Sequence, residues 1–233
     1  MESLSMLKDF RPSSTTKIPL IVTVDGPYGK DRGPGSVKQR ILQKYIDGLK
    51  LQFANHTTYN VTILQQRSKV KLIKNIRNAL PFVRTKFMYV LQHDLPFLLP
   101  VNHSALVRTV SQHPDIVRLV RFGLHKTLSR NRDVPLNGTC EPLLHSSYGI
   151  DLTKAHTWSD NNHFTTKAYY EEMFSTVDGF EEANFMEVPM RVKAREDCSK
   201  WGKWLYGKQG HGPMIQHLDG KHFLPNMQPT NME

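Results

Sequence analysis

The sequence lacks any run of 18 or more apolar residues, and its opening stretch, MESLSMLKDF, carries no apolar block. The expectation is therefore a chain with neither a membrane-spanning helix nor a secretory leader, and soluble. Cysteine is scarce: Cys140 and Cys198 are the only two. They are too few for a disulfide scaffold and wrongly spaced for a structural zinc site, so both are expected as ordinary buried small residues. Gly and Pro, at 14 each in 233 residues, exclude collagen and low-complexity sequence, and no internal repeat appears. What is present, 39% hydrophobic residues, suffices for a core. Four Asn-x-Ser/Thr sequons, at Asn55, Asn60, Asn102 and Asn137, have no targeting segment beside them to give them meaning.

Acidic residues are short in one half only. Residues 1–110 hold 17 Lys/Arg against 6 Asp/Glu, whereas residues 111–233 hold 14 against 15. Between Arg67 and Lys86 stand seven basic residues and no acid, a field suited to phosphate. The bland reading of such a run is a solvated helix face; the sharper one is a nucleotide or a nucleic-acid backbone.

Apolar periodicity arranges this half as strand, helix, strand, helix, strand. KIPLIVTV (17–24) is a buried strand ending in the turn Asp25-Gly26-Pro27. Ser36 caps a helix in which Val37, Ile41, Tyr45 and Leu49 recur at helical spacing. NVTILQQ (60–66) is a second strand. Residues 70–80 form a second helix with Leu72, Ile73, Ile76 and Leu80 inward and Lys71, Lys74, Asn75 and Asn78 on the opposite face. FMYVL (87–91) is a third strand, terminating in Gln92-His93-Asp94, and residues 115–123 suggest a fourth. The fold class that follows is α/β, a single Rossmann-like domain with an open, mostly parallel sheet flanked by helices. Ligands of such sheets gather at the carboxyl ends of the strands, so Asp25, the loop around Arg67 and Asp94 are expected on one rim.

An acid at the end of a buried strand, opposite Lys and Arg, can hold Mg²⁺ or Mn²⁺ by oxygen ligation while the cation neutralises a departing diphosphate. The plainer reading of Asp94 is a turn or helix cap. The ordered series IVTVDG, KLIKNIRNAL, TKFMYVLQHDLPF, WSDNNHF, FEEANFM and WGKWLYG, over roughly residues 17–222, resembles the GT-A fold of nucleotide-sugar glycosyltransferases, nearest to family-2-like enzymes of algae and large algal viruses.

The resemblance implies an Asp-x-Asp motif for metal and sugar diphosphate after the third strand. Here it reads Gln92-His93-Asp94, keeping only the second Asp. It further implies Asp25, Lys74, Arg77, Asn78, His93 and Lys221 as nucleotide or diphosphate contacts, and Asp94 and His217 as metal ligands. Glu181 or Glu182 becomes the base that deprotonates the acceptor hydroxyl in an inverting transfer, with Asp160 as rival and Trp158 stacking on a sugar. The acid that reads a uracil after the second strand is missing; Gln65, Gln66 or Arg67 stands there. Trp201 and Trp204 are core or acceptor platform.

The expected function is sugar transfer from a nucleoside-diphosphate donor, such as a UDP- or GDP-sugar, to a glycan or glycoconjugate hydroxyl, assisted by Mn²⁺ or Mg²⁺. Alternatives are an inactive sugar-binding or scaffold protein and a basic nucleic-acid-binding module. The last is disfavoured because the 67–86 stretch interleaves only Phe82 among its cations. Expected boundaries are an extension at 1–16, the transferase domain at 17–223 with halves at 17–123 and 124–223, and a tail at 224–233. The compartment expected is cytoplasmic, or a Golgi lumen if a targeting segment lies outside this chain.

Overall fold

The apolar runs of the first half become strands, and the helical periods between them become helices. The computed structural model describes residues 7–8, 17–27, 35–127, 144–155, 158–180 and 185–218. A short strand, β1 (Leu7–Lys8), precedes β2 (Ile18–Val24), α1 (Val37–Phe53), β3 (Tyr59–Gln65) and α2 (Lys71–Ala79). β2 and β3 pair in parallel from Ile18 opposite Tyr59 to Val24 opposite Gln65. Parallel neighbours need a crossover, and α1 supplies it. Its start is fixed by Ser36, whose hydroxyl accepts from the Gln39 amide at 3.2 Å.

β4 (Phe87–Val90), β5 (Val101–Asn102), α3 (His103–Gln112) and β6 (Leu119–Arg121) follow. Then come β7 (Leu144–Ser147), β8 (Ile150–Ala155), β9 (His163–Thr166), α4 (Lys167–Thr176), α5 (Glu187–Glu196), α6 (Cys198–Trp201) and β10 (Lys203–Tyr206). Six strands form an open sheet in the order β4-β9-β6-β10-β8-β7. The fold is mixed α/β, an open sheet with helices. β1–β5, β2–β3 and β6–β10 are parallel pairs; β6–β9, β8–β10 and β7–β8 are antiparallel and all draw on segments after residue 143.

The chain divides into two compact units, each assembled from separated stretches. One comprises Met1–Asp9, Tyr89–Thr165 and Lys193–Glu233, the other Phe10–Met88 and Thr166–Val192. The core of the first is built by Val101, Leu106, Leu119, Val120, Phe122, Leu152, Phe164 and Leu205, each at most 1% exposed. In the second, Ile46, Ile73, Ile76 and Leu80 are buried.

Three sequence expectations change here. On α1 the stripe of Val37, Ile41 and Tyr45 is 61%, 62% and 56% exposed, and Ile46 is the residue that turns inward. Helical spacing identifies a helix but not which of two half-apolar faces meets the sheet. Trp158, expected to stack on a sugar, is 1% exposed and packs edge-on to the His163 ring. Cys198 is buried as expected, but it is held in a disulfide. The sequence's other cysteine, Cys140, lies outside the described residues.

Candidate functional site

In the second unit the carboxyl ends of β2 and β3 are tied together around Asp25. One Asp25 carboxylate oxygen, Oδ1, accepts from the Val70 amide at 3.1 Å and from Asn75 Nδ2 at 2.9 Å. Beside it the Gly26 amide donates to the Ser68 carbonyl at 3.1 Å, and the Gln66 amide to that of Val24 at 2.9 Å. The approach is so close that a Cβ on Gly26 would stand 2.4 Å from the Ser68 nitrogen and 2.6 Å from the Gln66 oxygen, so only glycine fits. The loop then turns through Lys71, left-handed at φ 64°, into α2, whose first turn has neither a side-chain cap nor an acid.

Asn75, expected on the exposed face of α2, is instead 8% exposed. Because a carboxylate only accepts, its contact with Asp25 fixes the Asn75 amide with Nδ2 toward the acid. The opposite atom, Oδ1, is buried with no hydrogen-bond partner. A buried acceptor of this kind is normally satisfied. Asn78 is exposed and donates from Nδ2 to Gln66 Oε1 at 2.9 Å. The Arg77 guanidinium lies 4.9 Å from the centre of the Phe174 ring on α4, while Lys74 is exposed.

In the first unit the segment after β4 is a turn, closed by the Leu95 amide on the Gln92 carbonyl at 3.2 Å. Asn162, 1% exposed, clamps both its ends: Oδ1 accepts from the Gln92 amide at 2.7 Å and Nδ2 donates to the Leu95 carbonyl at 2.6 Å. The Gln92 side chain donates to the Asp160 carbonyl at 2.7 Å. The residue in the first Asp position is therefore an internal tether, which a carboxylate could not provide because it has no proton to donate.

Asp94 and His217 meet across this turn, Oδ2 to Nε2 at 3.4 Å, with both side chains about one-third exposed. The chain carrying His217 is pinned alongside by the Leu218 amide on the Asp94 carbonyl at 2.9 Å and the Gln216 amide on the Pro96 carbonyl at 3.1 Å. His93 is exposed on the turn, and Asp160 is half-buried. Next to Asn162, His163 is fully buried, and desolvation pushes its pKa down to about 4, its bond to the Asn161 carbonyl opposing and Arg121 adding to the shift. Its imidazole is thus neutral, with Nδ1 donating at 2.7 Å.

Asp25, Lys74, Arg77 and Asn78 belong to the second unit; Asp94, His93, Asp160 and His217 belong to the first. Glu181, Glu182 and Lys221 lie outside the described residues. Trp201 and Trp204 are 5% and 3% exposed, and the Trp204 indole donates to the Ile116 carbonyl at 2.8 Å, so both are core. Sequence reasoning missed the Asn162 clamp and the buried Asn75. Their partners lie 70 and 50 residues away, and no local pattern marks either.

Asp94 and His217 offer one oxygen and one nitrogen. Among the described residues no group of three His, Cys, Asp or Glu converges as a metal site. Cavities of about 340 Å³ beside Asn102, Arg108 and Tyr148 and about 350 Å³ beside Lys50, Phe53 and Tyr59 include neither residue.

No known protein family and no curated protein matches this sequence. Solved structures with a similar chain course include a UDP-glucose pyrophosphorylase complexed with UDP-glucose and an apo UDP-glucose pyrophosphorylase. Both are 10% identical and cover 83% of this chain and 73% of theirs, with TM-scores of 0.40 and 0.42. Similarity at that level says nothing of substrate or reaction.

Proposed function

We propose that this protein is a nucleotide-sugar-dependent glycosyltransferase, moving a sugar from a UDP- or GDP-sugar to a hydroxyl of a glycan or glycoconjugate. The observation that carries the reading is the meeting of Asp94 and His217 at 3.4 Å on a turn held rigid by Asn162. An acid at the end of a strand that serves only as a cap needs no imidazole brought to it from more than 100 residues away. Asp94 Oδ2 and His217 Nε2 would hold a divalent cation, which would supply charge neutralisation for a departing diphosphate.

The chain's own residues do the rest. Asn162 fixes the direction of the 92–95 turn, so that Asp94 is in place before the donor arrives. Asp160, tethered to Gln92 through its peptide oxygen, is the base candidate that the described residues hold. Its carboxylate takes the proton from the acceptor hydroxyl as that oxygen attacks the anomeric carbon. Glu181 and Glu182 remain assigned to the same role as rivals. In the second unit Lys74 is proposed for phosphate on the GT-A resemblance alone. Asp25 braces this unit by holding Asn75, and Asn78 by bracing Gln66. Arg77, paired with Phe174, is proposed for phosphate only as a partner of Lys74.

Isothermal titration with UDP- and GDP-sugars, with and without Mn²⁺, tests the reading. Mn²⁺-dependent binding that Asp94→Asn removes is expected; no binding of any nucleotide overturns it. A second reading, a sugar-nucleotide-binding protein without catalysis, draws on Gln92, whose amide occupies the first acid's place. Donor binding without hydrolysis or transfer would favour it.

A further inference from the structure

We propose that Asn55 is an N-glycosylation site, used in an oxidising secretory compartment. Two independent observations lead here. First, Cys198 is held in a disulfide. Disulfides persist in oxidising compartments and are rare in the reducing cytosol, so this bond opposes the cytoplasmic expectation. Second, the sequon Asn55-His56-Thr57 stands at the surface with both of its reacting positions open. Asn55 and Thr57 are each exposed, in the turn just beyond the end of α1.

The other sequons are placed less well. Asn60 and Thr62 are exposed, yet they lie within β3, where Asn60 pairs with Pro19 across the ladder. Asn102 is half-buried, and its Oδ1 caps α3 by accepting from the Ala105 amide at 3.0 Å. Asn137 lies outside the described residues. The Asn55 turn, by contrast, is tied through the middle residue of the sequon: His56 Nδ1 accepts from the Thr58 and Tyr59 amides at 3.2 Å each and its amide donates to the Phe53 carbonyl at 3.2 Å, which leaves both reacting side chains at the surface.

The step is a substitution at a sugar carbon. The Asn55 amide nitrogen forms the N–C bond to the anomeric carbon of a lipid-linked oligosaccharide diphosphate and loses one proton. The C–O bond to the diphosphate breaks, and the diphosphate leaves with the electron pair. The attached sugars have a place to lie. Four residues before Asn55, Leu51 is 81% exposed, and a cavity of about 350 Å³ lined by Phe53, Ala54, Tyr59 and Asn60 opens beside the turn.

The test uses the full chain recovered from the cells that make it. Intact mass is measured before and after peptide N-glycosidase, which converts a glycosylated Asn to Asp, and cysteine is alkylated before and after reduction. The expected result is a fall in mass, Asp at position 55 in the treated peptide, and Cys198 alkylated only after reduction. In chains expressed through the secretory route, Asn55→Gln and Thr57→Ala should each remove one glycan, while Thr57→Ser keeps it. Asn remaining at position 55 after treatment overturns the site, whichever other sequon is modified. A thiol at Cys198 that alkylates without reduction overturns the compartment.

Discussion

Asp25 and Asp94 look alike in the sequence, each an acid closing an apolar strand, and the structure gives them different work. Asp25 spends one oxygen on its own unit, holding the Val70 amide and Asn75. Asp94 is held by its backbone and leaves its carboxylate to His217. The contrast teaches that an acid after a strand is spared structural duty only where other groups hold the backbone around it. At Asp94, Asn162 and Gln92 do that.

The contrast can be broken by substitution. The largest effect is expected at Gly26→Ala beside Asp25, because the atoms that a Cβ would strike at 2.4 and 2.6 Å are backbone. Overpacking that cannot be relieved by a rotamer should cost about 3 kcal/mol, read as a lowered denaturant midpoint.

The Asp94 side should be the more acid-labile. His163 is neutral in the folded chain with its pKa at about 4, whereas in the unfolded chain it titrates near 6.5. Between these values the unfolded state binds the extra proton, so stability is full above about pH 6.5 and falls as pH drops toward 4. The loss should approach about 3 kcal/mol by order of magnitude. His163→Gln should flatten the acid limb of a melting curve; an unchanged limb would show that the histidine is not the titrating group.

Asp94→Asn should lower donor turnover about 100-fold with little change in melting, since what it loses is charge toward the ligand. Asp25→Asn should do the reverse in kind, costing about 1 to 2 kcal/mol of stability through a weakened hydrogen bond to a buried partner. Equal effects of the two on turnover and melting would erase the distinction. Least is expected of Ile41→Lys on the exposed face of α1, within about 0.5 kcal/mol in chemical denaturation. A large loss there would mean that the face is covered.

Much of the first half was legible from residue spacing. β2, β3, β4 and α2 lie close to where the apolar runs and helical periods put them, and Ser36 caps α1. Asp94 and His217, which spacing alone does not link, lie 3.4 Å apart. The outward stripe of α1, the burial of Trp158 and the disulfide at Cys198 were not legible. Each depends on what a distant segment presents to that side chain, and a local pattern carries no record of it.

What the sequence determined alone was the alternation of strands and helices, the cationic stretch before β4 and the placing of acids after strands. These follow from apolar period, turn chemistry and charge, all properties of neighbouring residues. Tertiary structure alone decided which acid braces its own unit and which faces a histidine, because hydrogen bonds reaching 50 to 70 residues along the chain occupy one oxygen of Asp25 and fix the turn from which Asp94 meets the His217 imidazole.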